Sequence, residues 1–202
     1  MIYKWTLPEY VANKEIAAYD DQLSPNRFLF MQGRKLQTGE LNAKPIFNIK
    51  VSREQIQKYD CIPGNIRAPI VNKKIVDVLS TIAPGDVQFI DIEVRCKDGV
   101  LSNYKMLNVT SLIKGIDHDR SIYTKMKNAD AISGFKYLTY KSGCMGSHKL
   151  ARDEEYEPNL LATEEIKAAF EKENITGIWF VRPEDFYRPL TPQDVIDYNS
   201  DN

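Results

Sequence analysis

Hydrophobic and polar positions fall into a readable order from residue 70 onward. Asn72 stands where a helix N-cap is expected, and Ile75, Val76, Leu79 and Ile82 follow at a spacing that puts them on one helical face. Pro84-Gly85 then stops the helix. Val87–Val94 alternates, with Gln88, Ile90, Ile92 and Val94 on one side and Phe89, Asp91 and Glu93 on the other. That pattern suits a strand in a sheet with one wetted face. Asp98-Gly99 marks a turn before a further run, Tyr104–Val109, so the two runs are expected to pair as an antiparallel hairpin.

A second unit begins at Leu160. Thr163 is a candidate cap, Glu164 and Glu165 sit where the helix dipole favours anions, and Ile166, Ala169 and Phe170 line one face. Asn174 is an end signal, Gly177–Val181 reads as a strand, and Pro183 closes it. The two segments match without a gap at an offset of 91 residues: Ile70 over Leu161, Asn72 over Thr163, Ile75 over Ile166, Leu79 over Phe170, Phe89 over Phe180 and Ile90 over Val181. The match is one of residue class, and any amphipathic helix followed by a buried strand would share it. Physically, each segment reads as a strand end, helix, turn and strand that packs a helix on a sheet.

Earlier in the chain the signals are weaker. Strands are expected near Ile2–Thr6, Phe28–Met31 and Ile46–Val51, turns at Gly33 and Gly39, and another turn over Cys61–Asn65. Together these elements predict an α+β fold with a mixed or antiparallel sheet, as a single domain over residues 1–189. Leu190–Asn202, with three Asp and no Lys or Arg, reads as a frayed acidic tail or one short helix.

Composition narrows the function classes. At 202 residues, 43% hydrophobic and 27% charged, the chain has the make-up of an ordinary globular protein. Lys and Arg (27) nearly balance Asp and Glu (28), so no global field steers it to nucleic acid or anionic membrane. No run of apolar residues is long enough to span a bilayer, and the N-terminus lacks the pattern of a signal peptide, so a cytoplasmic location is expected. Cys61, Cys96 and Cys144 are odd in number and widely spaced, with no CxxC. They read as inert thiols rather than a disulfide framework or zinc site.

Candidate chemistry is sparse. Asp117-His118-Asp119-Arg120 could orient an imidazole for acid–base work, with His148 as a further member of such a cleft. No second histidine lies at metal-ligand spacing, and the phosphate-cradle and GxSxG patterns are missing. Cys144 and His148 sit in a Gly/Ser-rich stretch that reads as a loop. The most unusual polar run is Arg152-Asp153-Glu154-Glu155-Tyr156-Glu157, four carboxylates around one tyrosine. It reads either as a solvated loop or as an acidic surface with an aromatic anchor, suited to a basic partner. The sequence implies no cofactor and no metal.

Several blocks resemble a family of bacterial immunity proteins from polymorphic toxin systems, immunity protein eleven. They include Pro69-Ile70-Val71, Pro84-Gly85-Asp86-Val87-Gln88-Phe89-Ile90, Tyr104-Lys105-Met106-Leu107-Asn108-Val109 and Ile116-Asp117-His118-Asp119-Arg120-Ser121. His148-Lys149-Leu150, Leu160–Lys167 and Ile175–Phe180 continue the series in consistent order over residues 60–183. Ser147-His148-Lys149-Leu150 stands where the family tends to have an Ile/Val-Phe-Arg-Leu-like motif. The resemblance implies a non-catalytic cytoplasmic protein, monomer or homodimer, that neutralises a cognate toxin by binding it. On that reading Arg152–Glu157, Asp117 and Arg120 are the candidate contact residues. The competing readings are an enzyme using Asp117, His118 and Arg120, and a structural module that dimerises through an edge strand.

Overall fold

The computed structural model describes residues 1–8, 10–127, 129 and 131–187. The acidic tail expected over Leu190–Asn202 lies outside them. Strands β1 (Ile2–Thr6), β2 (Ala18–Tyr19), β3 (Ile46–Asn48) and β4 (Cys61–Ile62) occupy the first third, with the short helix α1 (Arg53–Ile56). The middle runs β5 (Ile70–Asn72), α2 (Lys73–Ile82), β6 (Val87–Asp91), β7 (Glu93–Cys96), β8 (Gly99–Leu101), β9 (Tyr104–Val109) and β10 (Leu112–Ile113). The last third holds β11 (Ile122–Lys125), β12 (Ile132–Tyr137), β13 (Leu150–Asp153), β14 (Leu160–Thr163), α3 (Glu164–Lys172), β15 (Trp179–Val181) and α4 (Pro183–Phe186). They form the sheets β10-β13-β14-β1-β15, β4-β5-β9-β6 and β2-β3-β7-β8, plus the ribbon β11-β12. The fold is α+β, with mixed and antiparallel sheets.

Local chemistry explains the helices. Asn72 Oδ1 accepts from the backbone N–H of Lys74 and Ile75, and Ile75 and Leu79 point inward with no exposed surface. Thr163 occupies the same N-cap position before α3, yet its hydroxyl makes no cap bond and has no partner among the described residues. There the first-turn Glu164 and Glu165 meet the dipole instead. Asn174 ends the unit in the left-handed region, at φ 50°.

The residue-class match at an offset of 91 is a structural repeat. In one sheet β9 lies between β5 and β6 and runs antiparallel to both; in the other β1 lies between β14 and β15 and does the same. The registers agree position by position. Ile70 and Ile90 both face Met106, and their counterparts Leu161 and Val181 both face Lys4. Val71 faces Lys105 as Ala162 faces Tyr3, and Phe89 faces Leu107 as Phe180 faces Trp5. A one-residue slip in either sheet would turn every side chain to the wrong face, so the agreement fixes the correspondence. The middle strand follows its unit in one case and comes from the N-terminus in the other, so a linear comparison misses it. Helices α2 and α3 pack together over a shared core of Trp5, Val71, Ile75, Leu79, Ile166 and Phe170. The rings of Trp5, Phe170 and Phe180 meet edge to face, with centroids 5.4–5.7 Å apart.

Five expectations need correction. The strand at Gly177–Val181 begins only at Trp179. Phe28–Met31 is not a strand but part of a 3-10 helix, Arg27–Met31, capped by Asn26, whose side chain accepts from the Phe28 N–H. The strand at Ile46–Val51 stops at Asn48. Cys61-Ile62 pairs with β5, so the turn begins only at Pro63. Val87–Val94 divides at Ile92, because β6 pairs with β9 while β7 joins β3 and β8 in another sheet. Ile90, Ile92 and Val94 still share one buried side, inside a single core cluster, so the alternation survives the break. The antiparallel pairing with Tyr104–Val109 is present, but Asp98-Gly99 turns β7 into β8 on the way.

Candidate partner-binding surface

The ribbon β11-β12 pairs with no other strand among the described residues, so neither of its outer edges is paired within them. Alternation gives its strands two different sides. On the inner side the Tyr123 ring meets Phe135, with centroids 6.1 Å apart, and Phe135 in turn meets Tyr156 at 5.1 Å and Tyr187 at 5.3 Å. Ile122, at the ribbon's start, is 58% exposed, and Met126, just beyond its first strand, is 54% exposed. Two large apolar side chains beside strand edges that no described strand pairs are available for contact with a partner.

The two polar segments singled out in the sequence meet beneath this ribbon. His118 Nε2 lies 2.7 Å from Glu155 Oε1, and His118 Nδ1 lies 2.9 Å from the Tyr123 hydroxyl. Asp117 shapes the turn: its carbonyl accepts from the N–H groups of Arg120 and Ser121, and its own N–H donates to Thr139 O. Asp119 and Arg120 are exposed at its tip.

Arg152 and Asp153 are not surface residues. Both have no exposed surface, and they hold the acidic turn between β13 and β14 from below. Asp153 Oδ1 accepts from the N–H groups of Glu155 and Tyr156, and Oδ2 accepts from the Tyr140 hydroxyl at 2.5 Å. Burial raises the Asp153 carboxyl to about 6, against the pull of those hydrogen bonds. Arg152 donates to the carbonyls of Glu157 at 2.6 Å, Arg67 at 2.8 Å and Phe30 at 3.5 Å, which closes the far end of the turn. Desolvation lowers its guanidinium to about 10. What the turn offers outward is Glu154 and Glu157, both exposed, with Tyr156 half-buried against Phe135.

Supporting this clamp is a polar chain that sequence reading missed. Asn159 Nδ2 donates to the Tyr140 hydroxyl, the Tyr187 hydroxyl donates to Asn159 Oδ1, and Lys4 Nζ donates to the Tyr187 hydroxyl at 2.8 Å. Its members lie 19 to 183 residues apart in their pairwise bonds, so no local pattern reveals them.

His148 belongs to a different cluster. Its Nδ1 lies 2.7 Å from Asp86 Oδ1, which also accepts from the Ser111 hydroxyl, while Asp86 Oδ2 accepts from the Lys149 and Leu150 N–H groups. The two histidines therefore serve separate carboxylates. Burial pushes the Cys144 thiol above its ordinary value and the Cys61 thiol up to about 12, so neither is primed as a nucleophile. Among the described residues no group of three or more His, Cys, Asp or Glu is placed to hold a metal ion, and no helix is long and apolar enough to cross a membrane.

Fold and surface together define an α+β chain with a repeated strand–helix–strand unit and an open ribbon over a braced acidic turn. The model of the immunity protein family Imm11 matches residues 6–185, and the chain belongs to that family. The matched span reaches the first strand, well beyond the blocks over 60–183 that carry the resemblance in the sequence. A comparison with curated proteins gave no match.

Proposed function

We propose that this protein neutralises a cognate bacterial toxin in the cytoplasm by direct, non-catalytic complex formation. The contact surface on this reading is the ribbon β11-β12 with the adjoining turns at Asp117–Arg120 and Glu154–Glu157. The observation that carries the proposal is the pairing of exposed Ile122 and Met126 with a turn braced from inside by Arg152 and Asp153. Membership of an immunity family supports the function, and the braced turn supports the place. A turn held in one conformation loses little entropy on binding, which favours affinity at fixed area. Ile122 and Met126 would supply the apolar centre, and Glu154, Glu157, Asp119 and Arg120 the charged rim, with the exposed acids suited to a basic group on the toxin. A stable complex of ordinary size buries about 1,200–2,000 Å² in total. The reading is tested by expressing the toxin-like product of the neighbouring gene with and without this chain. Rescue of growth and a co-purifying complex are expected, and a toxin that stays lethal counts against it. A second copy of the chain pairing on the open ribbon edge would instead show as a dimer in light scattering.

A further inference from the structure

We propose that the cavity between β1 and the 61–69 segment is a binding site for a small organic carboxylate with an apolar body. The cavity measures about 380 Å³, within the ~300–1,000 Å³ range of ligand pockets, and its walls include Lys4, Leu7, Ile66, Arg67, Pro158 and Phe186.

The repeat shows what is out of place. Lys4 stands at the position that the other unit fills with Met106, a side chain with no exposed surface. Lys4 is itself only 8% exposed. Its ammonium donates to the Tyr187 hydroxyl and lies 3.4 Å from the centre of the Phe186 ring and 4.5 Å from that of Tyr187. Among the described residues no carboxylate pairs with it, and none pairs with the Arg67 side chain, which is exposed to solvent. The guanidinium of Arg152, a neighbour of Arg67, is committed to backbone carbonyls, including that of Arg67. A buried ammonium is stable when it is paired, and among the described residues this one has Arg67 as its charged neighbour and no anion. Burial first, and the charge of Arg67 second, press its pKa down to about 7. A carboxylate entering the cavity would supply the missing counter-charge between Lys4 and Arg67, while Leu7, Ile66, Pro158 and Phe186 would pack its apolar body.

The test is calorimetric titration of the full chain with benzoate and with inorganic phosphate, together with thermal unfolding. Wild type is expected to bind benzoate saturably and more tightly than phosphate, with a rise in melting temperature. Lys4→Met should weaken benzoate binding by about tenfold or more, a difference of about 1.4 kcal/mol. Its own melting temperature should stay close to that of wild type, because losing the hydrogen bond to the Tyr187 hydroxyl is offset by relieving an unpaired buried cation. Arg67→Met should weaken binding by several-fold. Absence of saturable benzoate binding, or equal binding by Lys4→Met, would overturn the site. Phosphate binding as tightly as benzoate would overturn the apolar-bodied ligand.

Discussion

Asparagine in place of Asp153 removes a charge from a position with no exposed surface and keeps the shape of the side chain. Its Oδ1 can still accept from the Glu155 and Tyr156 N–H groups, and the Tyr140 hydroxyl can turn to accept from Nδ2. What changes is the titration. The ordinary carboxyl value is 3.8, and burial raises it to about 6 in the folded chain. One pKa unit is about 1.4 kcal/mol, so ionising Asp153 costs the fold about 3 kcal/mol relative to the unfolded chain. The sign follows from proton linkage. Folded chain holds the proton where unfolded chain has lost it, so this contribution is full below the unfolded pKa and is lost as pH rises through the folded one. Urea unfolding of wild type and Asp153→Asn at matched pH isolates the residue, because every other group cancels in the difference. Wild type minus variant should fall by about 2.4 kcal/mol between about pH 4 and pH 7, the rest of the ~3 kcal/mol being lost outside that range. A difference that stays flat, or rises with pH, would mean that the hydrogen bonds hold Asp153 ionised and that burial does not dominate the clamp.

Asp86→Ala should cost about 3–5 kcal/mol in chemical denaturation, since it strips the acceptor from Ser111, Lys149 and Leu150 at once. Burial opposes ionisation of Asp86 but its hydrogen bonds outweigh it and lower the pKa, so its contribution is present above about pH 4 and lost as pH falls further. Gly177→Ala should lose about 2–4 kcal/mol, because φ is 84° there and a Cβ would collide with the Cys61 carbonyl oxygen; unchanged stability would refute that geometry. Tyr156→Ala combined with Glu154→Lys should weaken toxin binding, at a stability cost of about 1 kcal/mol for the lost ring contact with Phe135, and unaltered affinity would take the turn out of the interface.

Where the sequence was legible, the signal was local. The cap at Asn72, the inward row Ile75 and Leu79, and the end signal at Asn174 each act within a few residues, and the structure holds each of them. Phe28–Met31 misled because its apolar run is governed by Asn26, one cap outweighing β propensity. Val87–Val94 misled because alternation reports which side is buried and not which strand is the neighbour. The acidic run was legible as a group but not as a geometry. Its first two members turned inward, since Arg152 and Asp153 find their partners in Phe30, Arg67 and Tyr140, far along the chain. For the same reason the meeting of His118 with Glu155 could not be read from either segment alone.

The central claim, that the ribbon and its turn form the toxin-binding face, is tested most directly by affinity measurement between the purified toxin and Ile122→Glu/Met126→Glu. Both side chains are more than half exposed, so the variant should melt with wild type while its affinity drops at least a hundredfold, about 2.7 kcal/mol for two central apolar contacts. Full affinity in the folded variant would contradict the account.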